Sequence, residues 1–276
     1  MQGADMEARN TSVAINYKGI AREKLLGRYS TIIGAILMMQ LILFIVSYIT
    51  DRVVDDTTTV GMIIYVAILV ITGLISAVFT VGELTIYMKL ACGDGISSWD
   101  IFSGFKGHPD KAIILQFYIA LKCLVYMIPG VVLAIVLYMM GGIEFAGGNI
   151  GFGSNISDTG CRVVFLLSVI ALIAGMIGAI YVRICYSQCF YLLLDSPDLE
   201  PKEILAKGRE MMEHHKWSYF IINLSFIPII LLGILSLGVG LMYIQPYRGM
   251  TLTEFYLALA SGKLSRGKNI DILVKD

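Results

Sequence analysis

From residue 29 onward the chain is dominated by long uninterrupted apolar runs, separated by short polar connections. A helix needs about 20 such residues to cross the hydrocarbon core of a bilayer, roughly 30 Å thick. The first run covers about 29–50. The second, about 60–91, is long enough to cross and then protrude. The third, about 112–140, carries Pro129-Gly130, and the fourth, about 162–194, is again over-long. The stretch 217–245 reads either as one helix or as a hairpin. The hairpin would turn near Leu235–Gly238, with its second arm running through Pro246 to about Ala260. The pattern predicts an all-α polytopic transmembrane bundle of about six spans, the last pair a short hairpin.

Amphipathic pieces follow two of these runs. Ser97 or Ser98 can cap a helix carrying Ile101, Phe102 and Phe105 on one side. Pro201 stands where a helix starts, and Ile204, Gly208, Met211, Met212 and His215 share one face of it. Two settings suit both pieces equally: the membrane surface, or the protein's own end. The glycine-rich connection 141–160 reads as a flexible outer loop. It contains Gly151-x-Gly153, but no strand precedes that pair, which removes a dinucleotide reading. Asn155-Ile-Ser157 is a sequon that matters only in a glycosylating secretory route.

Lysine and arginine set the expected orientation, because they concentrate on the cytoplasmic side. One side collects Arg9, Lys18, Arg22, Lys24 and Arg28, then Lys106 and Lys111, then Lys202, Lys207, Arg209 and Lys216. The other has Arg52 and Arg162 beside Asp51, Asp55, Asp56, Glu144 and Asp158. Arg248, Lys263, Arg266, Lys268 and Lys275 place the tail with the first group. Both termini are therefore expected in the cytoplasm, which requires an even number of spans. The organisation that follows is a cytoplasmic segment 1–28, one transmembrane domain 29–260 and a basic tail 261–276. The polar start lacks a short apolar run with a cleavage site, so the first span is expected to stay as an anchor.

Composition agrees. Apolar residues make up 57% of the chain, charged residues only 15%, and the net charge is zero. Soluble domains carry roughly 25% charged residues, so part of this surface must face lipid. Zero net charge gives no attraction to nucleic acid. The five cysteines (Cys92, Cys123, Cys161, Cys185 and Cys189) are odd in number and irregularly spaced, which argues against a disulfide framework. Cys185 and Cys189 are four apart and share one helix face; they read as packing residues rather than as a metal pair. Neither a metal nor a cofactor is expected.

Three stretches read alike around Ile86-Tyr87, Phe190-Tyr191 and Phe255-Tyr256. Each sets an apolar residue and a tyrosine near a helix end, followed by a turn. This suggests an internal repeat with Tyr87, Tyr191 and Tyr256 at the membrane interface, although an aromatic belt alone produces the same pattern.

Charges inside membrane spans are rare, and they are the default pointer to function. Glu83, Lys122 and Arg183 fall within the second, third and fourth runs. Lys122 is about 16 Å into its helix, which puts it near mid-membrane. The three could face one another and line a polar cavity. Alternatively, Glu83 forms a structural ion pair and the third charge snorkels, and this second reading is preferred.

The stretch from Tyr186 to Pro197, Glu210-Met-Met-Glu-His-His-Lys216, Leu224-Ser-Phe-Ile-Pro228, Gly238-Val-Gly240 and Pro246-Tyr247 together resemble a bacterial membrane family. It is called domain of unknown function nine-seven-five. Ala21-Arg-Glu-Lys-Leu-Leu-Gly27 ahead of a span fits its start. Pro228 departs from the family pattern, where a glycine is expected, and would bend the fifth run. The resemblance covers about 18–260. It implies a six-helix integral membrane protein of the bacterial plasma membrane, with no assigned activity and no catalytic residues to transfer.

The sequence lacks H-E-x-x-H, G-x-S-x-G and P-loop patterns, and His108, His214 and His215 fall in expected aqueous segments. The expectation is therefore a non-catalytic membrane module: a scaffold, assembly factor or partner subunit. Besides the lipid bilayer, its partner would be another membrane protein or a second copy of itself. A small-solute or ion transporter built around Glu83, Lys122 and Arg183 comes second, and an enzyme third.

Overall fold

The computed structural model describes residues 16–54, 58–139, 143–146, 149–152, 159–236 and 238–262, with no side chains described for 140–161. Arg9, Asp55, Asp56, Gly153, the Asn155 sequon, Asp158 and the tail from Lys263 lie outside these residues, as do the side chains of Glu144 and Cys161. The helices are α1 (16–25), α2 (Tyr29–Val53), α3 (Thr59–Cys92), α4 (Ser103–Lys106), α5 (Pro109–Met139), α6 (Thr159–Cys185), α7 (Cys189–Asp195), α8 (Pro201–Met211), α9 (Lys216–Leu224), α10 (Ile227–Leu235) and α11 (Val239–Ala260). A 3-10 turn, Ser98–Phe102, leads into α4. Among the described residues, five stretches are long and apolar enough to cross a membrane: α2, α3, α5, residues 162–195 and residues 216–235. The chain is an α-helical, multi-pass membrane bundle.

Two compact units divide it. The first joins the residues up to Gln116 with those from Ser187 on, and the second is Phe117–Tyr186.

In the first unit the buried side chains gather around the Cys92 end of α3. The Thr59 end of α3 and the Val53 end of α2 stay exposed and apolar (Val60, Ile63 and Val66; Phe44, Ile45 and Ile49), as lipid contact requires. Helix α1 was not foreseen. Its Tyr17, Ala21 and Leu25 recur at helical spacing and are all buried. Tyr17 meets Phe255 edge to face at 6.0 Å. Burial pushes the Tyr17 hydroxyl up to about 12, and the Glu254 carboxylate adds to the shift. Lys24 Nζ donates to Ala91 O at 2.9 Å and pairs with Glu254 at 2.8 Å, tying α1 to α3 and α11.

Both amphipathic pieces pack on the protein itself. The Ser97 hydroxyl accepts from the Trp99 amide and the Asp100 carboxylate accepts from the Ser97 amide, a reciprocal cap. Ile101 is fully buried. A Cβ on Gly82 would overlap the Ile101 carbonyl oxygen, and one on Gly104 the Val78 carbonyl oxygen. Two glycines thus let the 3-10 turn and α4 cross α3 backbone to backbone. Helix α8 does the same with Ile204, Leu205 and Gly208 buried; a Cβ on Gly208 would lie 2.5 Å from Cys189 Sγ.

The fourth run is not one helix. Helix α6 stops at Cys185 and α7 begins at Cys189, with Tyr186, Ser187 and Gln188 between them, so the two cysteines do not lie on one continuous helix. The fifth run breaks as well. Helix α9 ends at Leu224 and α10 restarts at Ile227, with Pro228 in the first turn of α10, where its missing N–H does no harm. The hairpin turns where expected: Gly238 adopts φ 85° and α11 continues through Pro246 to Ala260. A Cβ on Gly240 would lie 2.8 Å from Gly233 Cα, so glycines again let the arms meet.

In the second unit Gly130, Gly175 and Gly178 bring α5 against α6; a Cβ on Gly175 would sit 2.6 Å from Tyr126 O. The expected flexible loop needs correcting. Ile143–Ala146 and Asn149–Phe152 pair as antiparallel strands, Ile143 opposite Phe152.

Candidate functional site

Glu83 and Tyr87 lie one turn apart on α3, so their side chains meet, and Tyr87 Oη donates to Glu83 Oε1 at 2.9 Å. Helix α11 supplies the rest of this carboxylate's surroundings. Gln245 hydrogen-bonds to it, and the Arg248 guanidinium faces it electrostatically. Arg248 is held in turn by Asn223 of α9, whose Oδ1 accepts from Nε at 3.0 Å and from Nη2 at 2.8 Å. Tyr219, also on α9, bonds to Ser187 and Asn223. The helices approach this closely because Gly249 lies against the Tyr87 ring, where any Cβ would overlap ring carbons.

A second layer adjoins the first. Tyr191 and Tyr256 stack at 4.9 Å with planes 15° apart. The Tyr191 hydroxyl bonds to Thr253 Oγ1 at 3.1 Å, and Tyr256 Oη donates to Asp195 Oδ2 at 3.2 Å. Tyr87, Tyr191 and Tyr256 are 1%, 5% and 0% exposed. The three tyrosines read from the sequence as interfacial therefore sit near their helix ends inside the unit's core.

Lys122 and Arg183 both belong to the second unit. Lys122 Nζ lies 5.1 Å from the Tyr118 ring centroid and 5.7 Å from that of Tyr186. Arg183 hydrogen-bonds to the side chain of Cys123, whose thiol also reaches Ala179 O at 3.7 Å. The distance from Arg162 to Arg183 along α6 is about 31 Å, and from Lys122 to Met139 along α5 about 26 Å. Those lengths are close to one core thickness, so a core counted from Met139 or Arg162 would bring both cations near its opposite edge.

The cation facing Glu83 is Arg248, which the sequence reading assigned to the basic tail. Its signal was available: once α11 runs through Pro246, Gln245 and Arg248 fall three apart on one face. Glu254 was missed for the same reason. Among the described residues there is no group of three His, Cys, Asp or Glu side chains arranged to hold a metal ion. Chemically the arrangement is a compensated charge: a carboxylate that accepts two hydrogen bonds and faces a guanidinium fixed by an amide.

No curated protein and no solved structure matches the chain. One family model does match, over residues 11–263, and the chain belongs to that family: protein of unknown function (DUF975).

Proposed function

We propose that the chain is a non-catalytic membrane module (a scaffold, assembly factor or partner subunit) in the bacterial cytoplasmic membrane, with both termini on the cytoplasmic side. It would act through another membrane protein or a second copy of itself. The observation that carries this is the Glu83 network. Tyr87 and Gln245 hydrogen-bond to the carboxyl group from within the chain, Arg248 acts on it electrostatically, and Asn223 holds the guanidinium, joining α3, α9 and α11. Glu83, Asn223 and Gln245 are half-buried and Arg248 is exposed, and a polar network whose members satisfy one another fixes how the helices that carry it pack. The lysines and arginines at the Cys92 end of α3 support the orientation, and the family resemblance supports the bacterial placement.

One feature favours transport as a second reading. Both helix breaks adjoin the network: Ser187, between α6 and α7, bonds to Tyr219, and Ser225 follows α9, the helix of Asn223. Broken helices beside polar groups are how many transporters build sites.

Water access separates the two. A single cysteine at Gln245, with the five native cysteines replaced, is treated in open membranes with a membrane-impermeant thiol reagent. The packing reading expects no labelling of folded protein. Rapid labelling would mean a water-filled cavity and would put transport first.

A further inference from the structure

We infer that the α10–α11 hairpin enters only one leaflet of the bilayer and seats its apolar tip among the acyl chains there, without reaching the far face. The inference rests on helix lengths within the first unit and not on the functional reading above.

Helix α3 is the yardstick. From Thr59 to Glu83 is about 36 Å at the α-helical rise. The hydrocarbon core is about 30 Å thick, and an average tilt lengthens the path to only about 32 Å. With Thr59 flush with the opposite edge, Glu83 therefore stands at or beyond the membrane edge. The segment from Ser97 to Lys106 marks the same level independently. It carries Asp100, Lys106 and an exposed Trp99, and it clamps α2 and α3. Ser98 Oγ donates to Thr31 O at 2.8 Å, and a Cβ on Gly34 would lie 3.2 Å from that hydroxyl. On α3 its glycine meets Val78. From Gly34 to Val53, and from Thr59 to Val78, is about 28 Å each, one core thickness.

The hairpin starts at this level. Gly249 abuts Tyr87, Gln245 hydrogen-bonds to Glu83, and Glu254 reaches Ala91 through Lys24, so α11 runs alongside α3 in the same direction. Back from Arg248, α11 extends only about 14 Å to Val239, and from Asn223 to Leu235 is about 18 Å. These are half-core lengths. The stretch from Ile227 to Ile244 contains no charged residue, and Leu231, Leu232, Leu235, Val239 and Tyr243 are exposed on it. Its base is polar. Lys18 donates to Ser225 O at 3.1 Å and lies 4.3 Å from the Phe226 ring centroid, and Arg248 is bonded to Asn223. A polar collar under a short uncharged hairpin suits one leaflet.

In a cysteine-free background, Ser236→Cys and Val53→Cys are treated with a membrane-impermeant maleimide in sealed vesicles of both orientations. The expected result is labelling of Val53→Cys from one side only, and of Ser236→Cys from neither side until detergent is added. Labelling of Ser236→Cys from the Val53 side would overturn the inference in favour of a full span. Labelling from the other side would place the hairpin outside the bilayer and overturn it as well. A second measurement covers occlusion of the thiol. With Trp99→Phe and Trp217→Phe, Leu235→Trp should be quenched most strongly by lipids brominated near the chain ends. Strongest quenching by lipids labelled beside the headgroup would contradict the inference.

Discussion

Tyr191 of α7 and Tyr256 of α11 lie ring on ring, 4.9 Å between centroids, and Tyr256 also donates to Asp195 at 3.2 Å. The stack and the hydrogen bond can be separated. Tyr256→Phe keeps the ring and should cost about 1 kcal/mol for the lost bond. Tyr256→Ala removes both and leaves a cavity, costing about 3–5 kcal/mol. Thermal melting in detergent reads the difference, and equal costs would mean that the stack contributes nothing.

Gly82 tests the crossing of α4 over α3. In Gly82→Ala the new methyl meets the Ile101 carbonyl oxygen, a backbone atom that cannot swing away. A loss of about 1–3 kcal/mol is expected. Gly73, on the same helix, has nothing within 4 Å of its would-be Cβ, so Gly73→Ala should gain up to about 1 kcal/mol from helix propensity. Opposite shifts in melting temperature are predicted, and parallel shifts would refute the contact.

Lys24 and Glu254 pair at 2.8 Å with the carboxylate nearly buried and the lysine one-third exposed. Lys24→Met should cost about 1–2 kcal/mol, because it strands the carboxylate. Adding Glu254→Gln should recover part of that loss. If the double variant is less stable than Lys24→Met alone, the pair is not what stabilises the join between α1 and α11.

Asp100 gives the pH dependence. Burial would raise its carboxyl, but hydrogen bonds from Lys89 and the Ser97 amide, with the charges of Lys89 and Lys106, outweigh burial and hold it below its ordinary value. Folding thus favours the carboxylate. Its stabilisation is complete above the unfolded value, about 3.9, and is lost as pH falls through the lower folded value. The stability gap between wild type and Asp100→Asn should stay constant from neutral pH down to about pH 5 and close below about pH 4. A gap that does not change with pH would show that the charge is not used.

Much of this architecture was legible in the apolar runs, because a membrane span is a local property of the chain. The turn near Gly238 and the bend at Pro228 were legible from residues with fixed backbone demands. The break at Ser187-Gln188 was hidden, since both neighbouring stretches are apolar. Tyr87, Tyr191 and Tyr256 were found near their helix ends but their burial was not foreseen: a tyrosine near a helix end fits an aromatic belt and a buried core equally well, and only the partner helix decides. Arg248 was counted with the tail even though the hairpin's second arm was read through Pro246, because its charge was used only for orientation and its partner Glu83 lies far away in the chain. Pairings such as Lys24 with Glu254 join distant parts of the chain, and periodicity carries no information about them.

The most direct test of the packing role assigned to Glu83 is a double-mutant cycle on Glu83→Gln and Arg248→Gln, read by thermal melting of purified protein. Each single change should destabilise by leaving one charge without its counterpart, and the double variant should recover, with a coupling of about 0.5–3 kcal/mol. Single variants that melt like wild type, with no coupling, would contradict the account and leave Glu83 and Arg248 as groups held for something other than the fold.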